Sequence, residues 1–195
     1  MRINLSFDKK SIKNAIAELE KTRKKLYNKM PSIFVQKCLE WVQNRANYYL
    51  STIPMDTEVT SGIQSAWMIR KINKYASRLV NNNDKAVFVE FGVGRVGERN
   101  SHPLANTNEG QNFQYDIKTK SKKEDGSWTF NSRHKEYAID LNEGYYIVFG
   151  SSKKNAPIVK TKGSPANLYL YNAGMDLVST GAYKKIWEQV LKENF

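Results

Sequence analysis

The chain has one cysteine, Cys38. A single thiol excludes an intrachain disulfide framework and a cysteine-rich zinc site, and it suits assembly in a reducing compartment. Histidine is nearly as scarce, with only His102 and His134. They show no ligand spacing such as H-x-x-x-H, and both lie in polar sequence. The expectation is two exposed histidines, not a metal site completed by Glu109, Asp116 or Glu136. Long apolar runs are missing too. No stretch approaches the ~18 apolar residues of a membrane span, and Met1 to Asp8 lacks the apolar run of a signal peptide. The expectation is a protein made and used in solution, with no membrane partner. Internal repeats and low-complexity tracts are absent from the sequence.

What the 195 residues do have is apolar content and positive charge. At 40% apolar and 12% aromatic, the chain can bury a real core, as one domain carrying a long insertion. The net charge of +12 predicts attraction to polyanions or an acidic protein surface. Lysines crowd a first helix (Lys10, Lys13, Lys24 and Lys25 among them) and a middle segment (Lys122 and Lys123). These six are the candidate polyanion contacts. Two solvated faces account for the same pattern, because charge steers and solubilises without naming a partner.

Asp8 can cap a first helix, in which Ile12, Ile16, Leu19, Arg23, Leu26 and Met30 recur at three-to-four-residue spacing. Pro31 interrupts it and suits the first turn of a second helix. That helix carries Phe34, Cys38, Val42, Ala46, Tyr49 and Ile53 on one face and ends at Pro54. Residues 55–62 read as a turn-rich connection. Ile63 to Ile72, Tyr75 to Val80 and Lys85 to Phe91 read as strands of an antiparallel meander, with Asn82, Asn83 and Asp84 in a tight turn. Gly92 to Lys135 is long and polar, and is expected to be a mobile insertion with a β-hairpin of its own. Within and after it, Ser127 to Phe130 and Tyr145 to Phe149 have strand character. Ser164-Pro165 reads as a helix start, and Thr180 as the cap of a final helix. Trp41, Val42, Phe88, Phe91 and Trp187 are the expected core. The fold class that follows is α+β: a small antiparallel sheet packed by two amino-terminal helices and a carboxy-terminal helix.

Few constellations carry chemistry. Gly92-Val93-Gly94-Arg95-Val96-Gly97 matches the dinucleotide pattern G-x-G-x-x-G. That pattern needs a helix directly after it to hold the pyrophosphate, and Glu98 to Pro103 lacks apolar periodicity. The expectation is a flexible glycine hinge and no cofactor. Cys38 falls on an apolar helix face, where a buried thiol is ordinary. Glu90, alone in an apolar run, is expected in a structural or interface ion pair, for instance with Arg70, Arg78 or Arg95. Aromatic residues such as Trp67, Trp128 and Phe130 alternate with basic ones. That pattern fits core first, subunit interface second and single-stranded nucleic acid third.

Three segments carry a resemblance. Pro54-Met55-Asp56-Thr57 with Ser61-Gly62-Ile63, following the helix Gln36 to Ile53, resembles a "P-x-D-T-G-x-L" junction. Ala86-Val87-Phe88-Val89-Glu90-Phe91-Gly92 resembles "Y-A-x-Y-V-E-F-G-T", with Lys85 for the tyrosine and Val93 for the threonine. Gly163-Ser164-Pro165-Ala166 to Ala173 resembles a closing helix. In this order they are similar to the tail-completion, or head–tail joining, proteins of long-tailed bacteriophages. The resemblance implies a structural virion protein and no enzyme. It would be made in the host cytoplasm, assemble as a homo-oligomeric ring at the head–tail junction, and meet other junction and tail proteins with at most weak nonspecific DNA contact. Candidate interface residues are Glu90, Phe91, Gly92, Arg95, Trp128 and Phe130. The rival readings are a basic nucleic-acid-binding module, and an enzyme such as a nuclease, which would need clustered acids where this chain has scattered ones.

Overall fold

The computed structural model describes residues 9–53, 55, 57–108, 110, 113–115, 122–131, 145–151 and 157–195. The Asp8 cap, His134 and the segments 116–121 and 132–144 lie outside the described residues. The fold is α+β, with seven helices and six short strands among the described residues. It divides into two compact units, one formed by Met1–Asn82 with Tyr169–Phe195 and one by Asn83–Leu168.

The first unit is built on α2 (Met30–Thr52), which Pro31 opens in its first turn. Met30, Cys38, Val42, Ala46 and Leu50 are its buried residues. Their four-residue multiples make one continuous stripe. Helices α6 (Tyr169–Ser179) and α7 (Ala182–Asn194) pack on that stripe. Met30, Cys38, Ile186 and Val190 form its core, with Phe34 edge-on to Trp187 at 5.3 Å. Asp176 of α6 accepts from Arg45 Nε at 2.7 Å and from the Tyr49 hydroxyl at 2.6 Å. Those two hydrogen bonds, the tyrosine's first, hold its carboxyl below the usual carboxylate range. Burial pushes the Cys38 thiol up, which leaves it an inert core group.

Strands β1 (Trp67–Lys71) and β2 (Ser77–Asn81) pair antiparallel and lie against α2. Asn47 of α2 anchors them, because its side-chain oxygen accepts from Trp67 Nε1 at 2.8 Å. The residues before β1 are helical where a connection and a strand are expected: Thr57–Gln64 forms α3, with Thr60 and Ile63 buried three residues apart. In α1 (Lys9–Asn28), Ala15 is buried, but Ile12, Ile16 and Leu19 are about half exposed. The expected stripe turns inward only at its far end, where Leu26 and Met30 meet the core.

The second unit opens with the largest departure from the sequence reading. Ala86–Phe91 is a helix, α4, not a strand. Asn83 starts it instead of turning a hairpin. Its side chain accepts the Lys85 N–H at 2.9 Å and its carbonyl accepts the Ala86 N–H. Ala86, Val89 and Glu90 face inward while Phe88 is 48% exposed, which removes Phe88 from the expected core. Val42 is buried as expected, and Trp41, Phe91 and Trp187 are half-buried. After α4 come α5 (Gly94–Arg99) and a sheet in which β3 (Trp128–Asn131) and β4 (Tyr145–Ser151) flank β5 (Pro157–Thr161). Gly163–Ser164 is a two-residue strand, β6, so no helix starts at Ser164-Pro165. The helix is delayed because Asn167 and Leu168 donate to the carbonyls of Val89 and Glu90.

Leu50 and Met30 are fully buried. Leu50→Ala or Met30→Ala should each lower unfolding free energy by about 2–5 kcal/mol in a denaturant titration. Phe88→Ala should cost less than about 1 kcal/mol, since much of its ring already meets water.

Candidate functional site

Five of the six candidate interface residues lie in the second unit with described surroundings, and they fall into an inner joint and an outer cleft. For Phe130 only the backbone, in β3, is described.

The joint is made by glycines. Gly92 ends α4 at φ +78° and donates its N–H to the Phe88 carbonyl at 2.9 Å. A Cβ there would lie 2.5 Å from the Ser164 oxygen, so only glycine fits. Facing it, Gly163 has φ +119°, and a Cβ there would run into the Val93 carbonyl. Bridges Val93–Ser164 and Gly94–Gly163 close the contact. A six-residue helix, α5, starts inside the G-x-G-x-x-G run, at Gly94. Its leading amides are already taken, however: Gly94 N–H by the Tyr115 carbonyl at 2.9 Å, and Val96 N–H by the Lys162 carbonyl at 3.4 Å. The glycines therefore lock two chain segments together, where a flexible hinge is expected from sequence.

Glu90 and His102 lie behind this joint, 6% and 3% exposed. Glu90 Oε1 is 2.9 Å from His102 Nε2, a histidine partner where an arginine is expected. His102 Nδ1 accepts the Leu104 N–H at 3.0 Å. That hydrogen bond assigns the ring proton to Nε2, which donates it to the carboxylate. The ring stacks on Phe91 at 4.2 Å, and Phe91 stacks on Phe113 at 4.7 Å. The His102 N–H donates to the Tyr115 hydroxyl at 2.9 Å. A histidine–carboxylate pair can orient a general base, but a base needs a free lone pair. Here both ring nitrogens are committed and the ring is out of water. Sequence reasoning placed His102 at the surface; its polar neighbours, Ser101 and Asn100, gave no sign of the turn that carries it inward.

The outer cleft has a volume of about 590 Å³ and is lined by Arg95, Glu98, Tyr115, Lys122, Glu124 and Trp128, among others. It brings together Arg95, Trp128 and Lys122. Two bases face two acids there, which does not make a polyanion site. Trp128 is positioned by a turn in which Asp125 Oδ1 accepts both the N–H and the hydroxyl of Ser127. These hydrogen bonds, and the Lys160 ammonium at 3.5 Å, lower the Asp125 carboxyl from the ordinary 3.8 to about 2.

The remaining candidates are lysines. Lys10, Lys13, Lys24, Lys122 and Lys123 are exposed. Lys25 is engaged elsewhere: its ammonium donates to the Asn194 carbonyl at the end of α7 and sits 5.0 Å from the Phe195 ring centre. A cation there complements the helix dipole, which removes Lys25 from the polyanion contacts. Among the described residues no group of three or more His, Cys, Asp or Glu side chains could hold a metal ion. No helix among them is long and apolar enough to cross a membrane. No family model matches the chain, and no curated protein or solved structure matches it.

His102→Ala takes away the imidazole donor of a buried carboxylate and should cost about 3–5 kcal/mol of stability. Glu90→Gln keeps an acceptor for Nε2–H and should cost under about 2 kcal/mol, measured in the same unfolding experiment. The turn at Asp125 has its own pH signature. The folded carboxyl lies below its ordinary value, so its stabilisation is full above pH 3.8 and is lost as pH falls through about 2. Asp125→Asn should abolish that dependence in a side-chain NMR titration.

Proposed function

We propose that the chain is a structural subunit of a phage particle, acting in head–tail joining or tail completion at the head–tail junction. The observation that carries the reading is the use made of the V-E-F-G element. Glu90 is committed to His102, Phe91 to the His102–Phe113 stack, and Gly92 to the backbone of Ser164. The residues that carry the resemblance hold the unit together, as an architectural motif should. Each unit offers exposed apolar side chains of its own to neighbours: Ile12, Ile16 and Leu19 on α1 of the first unit, and Val87 and Phe88 on α4 of the second. Side chains of this size left in water support assembly into a larger body. On this reading the protein is a virion component that works as a homo-oligomeric ring beside other junction and tail proteins.

A second reading, a basic nucleic-acid-binding module, is favoured by one observation. Lys10, Lys13, Lys21 and Lys24 are exposed and recur at helical spacing along α1. Counterion release makes the two readings separable. Tight duplex binding that collapses as salt rises, and that Lys13→Glu with Lys24→Glu removes, would favour the module.

The test of the first reading is a head–tail joining assay. Purified protein should restore infectious particles to extracts that lack it. Ile16→Asp with Leu19→Asp, folded by circular dichroism, should restore at least about tenfold fewer. Full restoration by this variant, or none by the wild type, would overturn the proposal.

A further inference from the structure

The outer face of the β1–β2 hairpin combines two costly features. Arg70 and Arg78 are direct cross-strand partners, and both are exposed. Like charges placed directly opposite weaken a strand pair. Nothing nearby in sequence relieves them, since no acidic residue occurs between Glu58 and Asp84. Among the described residues neither guanidinium is in a salt bridge. The second feature is apolar. Met68 precedes and Ile72 follows Arg70 at the two-residue spacing that shares a face, and they are 43% and 58% exposed. Arg70 Nε lies 3.4 Å from Met68 Sδ, so the guanidinium rests beside the thioether. The opposite face is accounted for: Trp67 bonds Asn47 and meets Tyr169 edge-on at 6.3 Å.

We infer that this outer face docks a segment of a partner protein in which a carboxylate is flanked by apolar side chains. The carboxylate lies between the two guanidiniums, which offer it paired N–H donors. It converts a repulsive cross-strand pair into a bridged one, while Met68 and Ile72 take its apolar neighbours out of water. A nucleic-acid backbone would answer the arginines but leave both apolar side chains exposed, because phosphate-binding faces are polar and basic. The inference rests on the subunit reading only in taking the partner to be a neighbouring particle protein.

The test is a fluorescence titration of the full chain with a short labelled peptide alternating glutamate and leucine. An all-glutamate peptide and a short DNA duplex are titrated in parallel. The alternating peptide should bind tightest. Arg70→Gln with Arg78→Gln should weaken it by about tenfold or more, and Met68→Ser with Ile72→Ser should weaken it too. Lys71→Gln, on the other face of β1, should not. The arginine variant should melt no lower than wild type, since it removes a like-charge pair. Unchanged peptide binding in that variant overturns the inference, as does a duplex that binds tighter than the peptide through the same arginines. Head–tail joining that persists with the arginine variant also overturns it while leaving the subunit reading intact. Wild-type protein that binds the peptide but never supports joining overturns only that reading.

Discussion

In the first unit every other element packs on α2, whose buried residues form one apolar stripe. Met30, Cys38, Val42, Ala46 and Leu50 occupy it at multiples of four residues. α1, α3, the β1–β2 hairpin, α6 and α7 all take their positions from that helix. Asn47, one residue beyond Ala46 and so beside the stripe, adds direction by holding Trp67 through a hydrogen bond. A hydrophobic stripe supplies most of the free energy but little orientation, whereas a buried polar contact supplies the reverse.

In the second unit the governing constraint is a carboxylate out of water. Burying Glu90 is costly unless a donor meets it, and His102, twelve residues on, is such a donor. The stack of Phe91 on His102 and Phe113, and the glycine joint of Gly92 with Gly163, close around that pair. The V-E-F-G element is thus held in place by packing and hydrogen bonding.

How far the sequence could be read follows from the same physics. Helices α2 and α7 of the first unit were legible because their apolar residues recur at helical spacing over many turns, from Phe34 to Ile53 and from Tyr183 to Leu191, whereas the short α3 was read as a connection and a strand. The β1–β2 pairing was legible from two short strand-like runs around a turn. Ala86 to Phe91 was not, because a nearly unbroken apolar run has no period to read, and strand and helix differ there only in which residues face inward. Asn83 serves a helix start as well as a turn. The Glu90–His102 pair was hidden for a different reason. It joins residues on two elements, and no local spacing encodes it. The glycine pattern was seen but misassigned as a hinge, because the partner backbone at Gly163 is distant in sequence. Lys25 was grouped with its neighbours by charge, and only the fold shows that one of them serves the end of α7.

The chain order of the first unit has a consequence for synthesis. Its core joins Met30 and Cys38 to Ile186 and Val190, and Lys37 pairs with Glu193 across 156 positions. During translation α2 leaves the ribosome long before α6 and α7 exist. The whole of Asn83–Leu168 is made in between. The stripe of α2 must therefore wait uncovered while the second unit emerges and can fold on its own local contacts. Closing a loop of that length is slow compared with forming a helix. The nascent chain thus passes through a stage with a finished insert and an open frame, which is the stage at which a chaperone would find it.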